Sequence, residues 1–165
     1  MPPELIDTHA HLDDERFQAD LPAVLRRAAE AGVVQVVAIG TTAPSSATTL
    51  ALAEHHASVF AAVGLQPNNL AEAAPGAWDE IIGLVSRPKV AAVGETGLDR
   101  HWDYTPFAVQ EEYFARHLAL ARQHDLPVVI HCREAEPDVV RMLREAYERH
   151  GPVRAVIHSF TGDWA

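Results

Sequence analysis

The feature that most constrains the fold is a strict alternation of short β-branched apolar runs with longer segments of helical period, sustained from Leu5 to His158. The runs are Leu5 to Thr8, Val34 to Ile39, Val59 to Gly64, Val90 to Gly94, Val128 to His131 and Arg154 to His158. Polar residues scarcely interrupt them, as expected of strands covered on both faces in a parallel sheet. Helices are predicted between them, over Asp20 to Ala31, Ser45 to His56, Ala77 to Ser86, Phe107 to His124 and Glu136 to His150. The punctuation agrees: Gly32 follows the first helix as a stop, Pro44 precedes the second, and Pro127 and Pro152 stand just before strands. Phe107, Phe114, Leu118 and Ala121 recur at helical spacing and form a core-packing stripe. With no repeat, low-complexity tract or linker, residues 1–165 read as one α/β domain.

Six βα units fit two architectures. An open doubly wound sheet is complete at this length, whereas a closed (β/α)8 barrel typically takes about 250 residues. The first βα turn reads His-Ala-His-Leu-Asp-Asp and lacks a glycine-rich phosphate fingerprint, which weighs against dinucleotide binding. The apolar content of 48% suits one buried core and is too low for membrane spans. The start, Met-Pro-Pro-Glu-Leu, carries no basic or long apolar leader, so the expected location is cytoplasmic. Cys132 is the single cysteine. It excludes an internal disulfide and any multi-cysteine zinc cluster, so a metal site must rest on histidine and carboxylate. The formal charge of −10 argues against holding nucleic acid by long-range attraction. Bound cations reverse that sign locally.

Ionisable residues recur at the carboxyl ends of the predicted strands: His9 and His11 after the first, Glu95 after the fourth, His131 at the fifth and His158 at the sixth. In parallel α/β folds these ends open onto one face, so residues distant in sequence converge there. In a strand, positions i and i+2 share a face about 6.5 Å apart, close enough for His9 and His11 to share an ion, and Asp7 lies on that face. Four histidines and a carboxylate suffice for two divalent ions, with zinc, manganese and magnesium all compatible. Lys89, the single lysine, precedes its strand and should lie on the opposite face, so the bridging role falls to Glu95. Glycines flank Glu95 and allow close backbone approach. Arg133 should share the side of His131, either clamping a phosphate or pairing with a neighbouring acid. Asp99 either orders the loop after Glu95 or touches substrate. Trp102, Tyr104 and Phe160 lie near strand ends and are read as loop anchors rather than base-stacking rings. Cys132 is expected to be a small buried residue, and His55, His56, His101, His117, His124 and His150 to be surface residues.

These residues resemble a family, the TatD-type metal-dependent deoxyribonucleases of the amidohydrolase superfamily. The resemblance rests on Asp7-Thr8-His9-Ala10-His11, Gly64-Leu65-Gln66-Pro67, Gly94-Glu95-Thr96-Gly97-Leu98-Asp99, Pro127-Val128-Val129-Ile130-His131-Cys132-Arg133 and His158-Ser159-Phe160-Thr161-Gly162. It implies a TIM-like (β/α)8 barrel of which about six units are present, a truncated barrel. It also implies that His9, His11 and Glu95 hold one metal while Glu95, His131 and His158 hold the other, with hydrolysis of phosphodiester bonds in DNA, single-stranded or at ends, as the activity. Catalytic roles then fall to Glu95 and Arg133, and substrate contacts to Gln66, Asp99 and Arg133. Gln66 stands where the family usually carries histidine, and is otherwise a turn residue before Pro67. The family's last metal ligand, an aspartate after an eighth strand, has no counterpart in this sequence. Two other readings use the same residues: an amidohydrolase acting on a lactone or amide, and an inactive fragment that binds metal or self-associates. An incomplete barrel would leave the first and sixth strands as open edges, from which homo-oligomers are expected.

Overall fold

The computed structural model describes residues 4–162; residues 1–3, part of the start read for a leader, and residues 163–165 lie outside the described part. Six strands, β1 (Leu5–Ala10), β2 (Val33–Ile39), β3 (Val59–Val63), β4 (Val90–Asp99), β5 (Val128–Arg133) and β6 (Ala155–Ile157), alternate with five helices. These are α1 (Leu21–Glu30), α2 (Ala43–His55), α3 (Ala77–Val85), α4 (Phe107–Gln123) and α5 (Glu136–His150). All neighbouring strands are parallel and their spatial order is the chain order, β1 to β6. A doubly wound sheet reverses its strand order at a switch point. This sheet never does, so it is the wall of a TIM-like barrel, six units long.

Local chemistry explains the boundaries. Pro22, Pro44 and Pro137 occupy first-turn positions of α1, α2 and α5, where a missing N–H costs nothing. Thr42 caps α2 by accepting from Ser45 N at 3.2 Å, which starts that helix two residues before the expected Ser45. Helix α5 has Glu136 and Asp138 in its first turn and Arg149 and His150 in its last, matching the helix dipole.

The expectation of strands covered on both faces holds for the inner strands β3, β4 and β5, which are mostly buried, but not for the outer strands β1 and β6, which are largely exposed because each pairs on one side only among the described residues. Val36, Ala38, Ala61, Val63, Val93, Val128 and Ile130 pack with the helices in the larger core cluster. Ile39, Ala62, Ala92 and Val129 form a separate layer on the opposite face. Ile39 pairs with Ala62 and Ala62 with Ala92 across the ladder, so that inner layer runs level from strand to strand. Phe114 and Ala121 of the α4 stripe are buried, with Phe107 and Leu118 packed against the same core. Lys89 donates from Nζ to the carbonyls of His56, Ala57 and Val59, which holds it at the amino-terminal end of the sheet, as expected. No helix among the described residues is long and apolar enough to cross a membrane.

Candidate metal centre

The first histidine pair arrives by a different geometry from the regular alternation expected of a strand. The β1–β2 register shifts between Asp7 and Ala10, and β1 ends at Ala10, so His11 lies just beyond the ladder. The two rings still meet edge to face, 5.1 Å between centroids. Asp7 Oδ1 accepts from His9 N at 3.0 Å and fixes the backbone at the bend. His9 in turn stacks on His158 at 4.0 Å and 16°, which joins the first and last strands of the described sheet at one point.

Glu95 stands between the two halves of this cluster. Strand β4 continues through it to Asp99, five residues beyond the expected end at Gly94, and its ladder with β5 sets Gly97 opposite His131. Glu95 and Asp99 therefore flank the His131 ring from either side. Glu95 Oε1 lies 2.9 Å from His131 Nδ1 and 3.2 Å from His158 Nε2, while Asp99 Oδ2 lies 2.8 Å from His131 Nε2. Gly97 is obligatory here: its φ is 135°, and a Cβ would stand 2.0 Å from the His131 carbonyl oxygen.

Two groups of three side chains bring ligand atoms within 4.8 Å of one another, His9–His11–Glu95 and Glu95–His131–His158, and Glu95 belongs to both. The carboxylate is 3% exposed. Burial opposes its ionisation, but hydrogen bonds and charge from His131 and His158 prevail and hold its pKa at about 2. His131 moves the other way: burial lowers its pKa, and its contacts with Glu95 and Asp99 outweigh that and raise it. His9 falls to about 4, chiefly through burial and then through the neighbouring His158. A neutral His9 makes no ion pair with Glu95, whose Oε2 lies 3.5 Å from Nε2. Both ring nitrogens of His9 are buried without a hydrogen-bond partner. Each such nitrogen costs about 1–3 kcal/mol, and a neutral imidazole beside an ionised carboxylate is the state a divalent cation needs. The donor set fits a cation.

The other expected site residues divide. Asp99 is buried and its carboxylate is fully engaged: Oδ1 accepts from His101 N and Trp102 N, both at 2.9 Å, and Oδ2 contacts Asn68 Nδ2 and His131 Nε2. The expected loop-ordering role is present, and a direct substrate contact is not available to a side chain so enclosed. Gln66 caps a short 3-10 turn by accepting from Asn68 N at 2.8 Å through Oε1, the expected turn role. Arg133 is exposed and makes no ion pair among the described residues; its guanidinium stands over the Trp102 ring, 5.6 Å from the centroid. Cys132 is half-buried, and burial pushes its thiol up to about 11, well away from a thiolate.

Two expectations need correction. His117 is no surface residue; it is 0% exposed. Its Nδ1 meets the Tyr113 carbonyl at 2.6 Å and its Nε2 accepts from Leu65 N at 3.0 Å, tying α4 to the loop after β3. The apolar i, i+4 neighbourhood of α4, with Phe114 and Ala121 on either side, was the signal available. Trp102 and Tyr104 are not buried anchors either, being 41% and 59% exposed.

Fold and site together define a class, an α/β-barrel protein with a histidine–carboxylate centre for divalent cations at the carboxyl ends of its strands. The chain belongs to the TatD related DNase family, whose pattern matches residues 6–165. It is 37% identical over 158 residues to the uncharacterized metal-dependent hydrolase YabD of Bacillus subtilis, covering 96% of this chain and 61% of that protein. It is 32% identical to the 3'-5' ssDNA/RNA exonuclease TatD of Klebsiella pneumoniae, covering 96% and 59%. The crystal structure of YjjV, a TatD homolog from Escherichia coli K12, superposes with a TM-score of 0.88 at 35% identity, over 96% of this chain and 61% of that one. The chain thus spans about three fifths of the length of these relatives.

Proposed function

We propose that this protein is a divalent-metal-dependent hydrolase of phosphodiester bonds in single-stranded nucleic acid. In this reading His9, His11 and Glu95 hold one cation and Glu95, His131 and His158 a second. The observation that carries it is Glu95, buried, ionised and common to both groups of ligand atoms. When bound, the cations supply a water of lowered pKa as nucleophile and neutralise charge developing on the phosphate. The chain's own side chains set the frame. Asp99 keeps a proton on His131 Nε2 and so leaves Nδ1 facing Glu95. Arg133, exposed and without an ion-pair partner among the described residues, offers a planar fork to a phosphate. Relatives that carry the name 3'-5' ssDNA/RNA exonuclease favour nucleic acid over a lactone or amide as substrate.

The test is cleavage of 5'-labelled single-stranded DNA by the purified chain supplied with magnesium, manganese or zinc, beside lactone and amide substrates. Cation-dependent shortening from the 3' end, lost in His131→Ala, is expected. Equal cleavage by wild type and variant, no cleavage by either, or turnover of the lactone alone removes the reading. Calorimetric titration with each cation gives an independent measure, with binding weakened in Glu95→Gln.

A further inference from the structure

Beside the centre, on the loop that follows β4, two large rings lie open to solvent. Trp102 and Tyr104 are stacked on each other, 5.3 Å between centroids and 11° from parallel, with 41% and 59% of their surfaces exposed. Exposed aromatic surface of this kind calls for an explanation, because burying a ring is the ordinary way to use it. Anchoring the loop does not supply one. Arg100 holds the loop to α5 through Asp138 at 2.7 Å. At the other end Thr105, 2% exposed, accepts from Ala71 N through Oγ1 and from Gln110 Nε2 through its carbonyl. The backbone is therefore pinned at both ends by polar groups, and the rings project from a rigid frame.

That frame is tied to the centre. The Asp99 carboxylate that accepts from Trp102 N is the one that holds His131 Nε2, so a single side chain fixes both the ring pair and a proposed cation ligand. The Arg133 guanidinium lies 5.6 Å from the Trp102 ring centroid. Within a few ångströms the surface thus offers a flat π-face and a planar cation with no acidic partner among the described residues, adjoining a site proposed to act on phosphodiesters.

We infer that Trp102 and Tyr104 form a stacking platform for an unpaired nucleobase, with Arg133 taking the phosphate of the same or the adjoining nucleotide. The inference rests on the proposed phosphodiesterase reading and adds the subsite that selects single strands: a base within a duplex has both faces covered and cannot add to the stack. It also answers the charge problem. A chain of net charge −10 gains nothing from long-range attraction to phosphates, whereas stacking is independent of net charge and accepts every base.

The experiment compares binding of a short oligothymidylate with an abasic strand carrying the same number of phosphates, both bearing the same terminal dye. Anisotropy is read with chelator present so that nothing is cleaved, at low and at raised salt. The base-bearing strand should bind roughly 5- to 150-fold more tightly, the range alanine substitution of a stacking ring reports, and this ratio should persist as salt rises. Trp102→Ala should collapse the ratio, with a thermal midpoint close to that of the wild type showing that the variant is folded. Trp102→Phe should restore most of the ratio, and Tyr104→Ala should lower it. Equal binding of the two strands by the wild type, binding of neither, or a ratio untouched by Trp102→Ala overturns the platform. Its failure is separable from that of the parent reading. Cation-dependent cleavage abolished by His131→Ala, together with equal strand affinities, keeps the hydrolase and discards the platform. A base-dependent ratio without such cleavage keeps the platform and discards the hydrolase.

Discussion

His131 owes the direction of both its nitrogens to residues four apart on one strand, Glu95 on the Nδ1 side and Asp99 on the Nε2 side. Both nitrogens face carboxylates, but with a cation held at Nδ1 the imidazole would keep its one proton on Nε2, where the Asp99 carboxylate accepts it. Asp99 is thus a positioning residue that acts through His131. Asp99→Asn keeps the shape and an acceptor but removes the charge that favours the Nε2–H form. Cation affinity measured by calorimetry should fall about 10- to 100-fold, and the thermal midpoint of the cation-free protein should fall as well, because the amide nitrogen would face donors that the carboxylate now accepts from. Unchanged affinity would leave Asp99 with its loop-ordering role alone. His117 presents the opposite case, a histidine kept neutral by enclosure, its pKa lowered to about 4 by burial. Protonation would set a second N–H against the Leu65 N–H that Nε2 now accepts. An unfolded chain takes up this proton near pH 6.5, so between about 6.5 and 4 the unfolded state binds more protons and stability falls as pH falls. Its full contribution is present above about 6.5, and across the window roughly 3 kcal/mol is at stake. Urea midpoints of the wild type should therefore drop more steeply from neutral to mildly acidic pH than those of His117→Gln. Parallel slopes would show that His117 does not set the acid limit.

At the scale of elements, two glycines separate structural need from mere tolerance. Gly97 of β4 has no room for a side chain and a φ that L residues rarely adopt, so Gly97→Ala must push β4 away from β5 at His131. A loss of about 2–4 kcal/mol is expected from the strain and the displaced ladder. Gly83 lies inside α3, and a methyl group added there would meet nothing within 4 Å. Gly83→Ala should gain about 0.5–1 kcal/mol from helix propensity. Thermal melts of the pair give opposite signs, and a Gly97→Ala protein as stable as wild type would mean the ladder yields cheaply. Strand β4 also shows where reading a sequence succeeds and stops. Apolar runs and proline punctuation place all six strands and five helices to within a few residues, because burial on both faces and missing N–H groups leave marks in composition. The apolar run of β4 stops at Gly94, where two glycines and a glutamate interrupt it. The register breaks between Val93 and Thr96 and resumes at Thr96, and Gly97 keeps the close approach to β5 that continues the ladder, which is a property of the neighbouring strand. The His9, His11, Glu95, His131 and His158 cluster is legible because parallel topology gathers strand ends. The second carboxylate on His131 is not, since it depends on the β4–β5 register.

For the molecule as a whole, the sheet has two strands that pair on one side only among the described residues, β1 and β6. Their outward surfaces carry exposed apolar side chains: Leu5 at 49%, Ile6 at 56% and Val156 at 42%. Unpaired backbone N–H and C=O groups beside such side chains make a template for another strand, and no lysine or proline lies within either strand to blunt the edge. The opposing influence is net charge, −10, which favours separation of copies but is largely screened beyond about 8 Å at physiological ionic strength. Edge pairing acts at strand spacing, about 4.8 Å, inside that screening length only for charges placed at the edge itself. Glu4 and Asp7 are such charges at β1, whereas β6 has Arg154 just before it and no charge within it. The 165-residue chain by itself is therefore expected to self-associate, with the β6 edge as the less protected of the two. Light scattering coupled to size exclusion should report a dimer or larger species that shifts toward monomer in Val156→Lys, and less so in Ile6→Lys. A wild-type monomer at all concentrations and salt levels would mean that the twist of these short edges already denies them a partner.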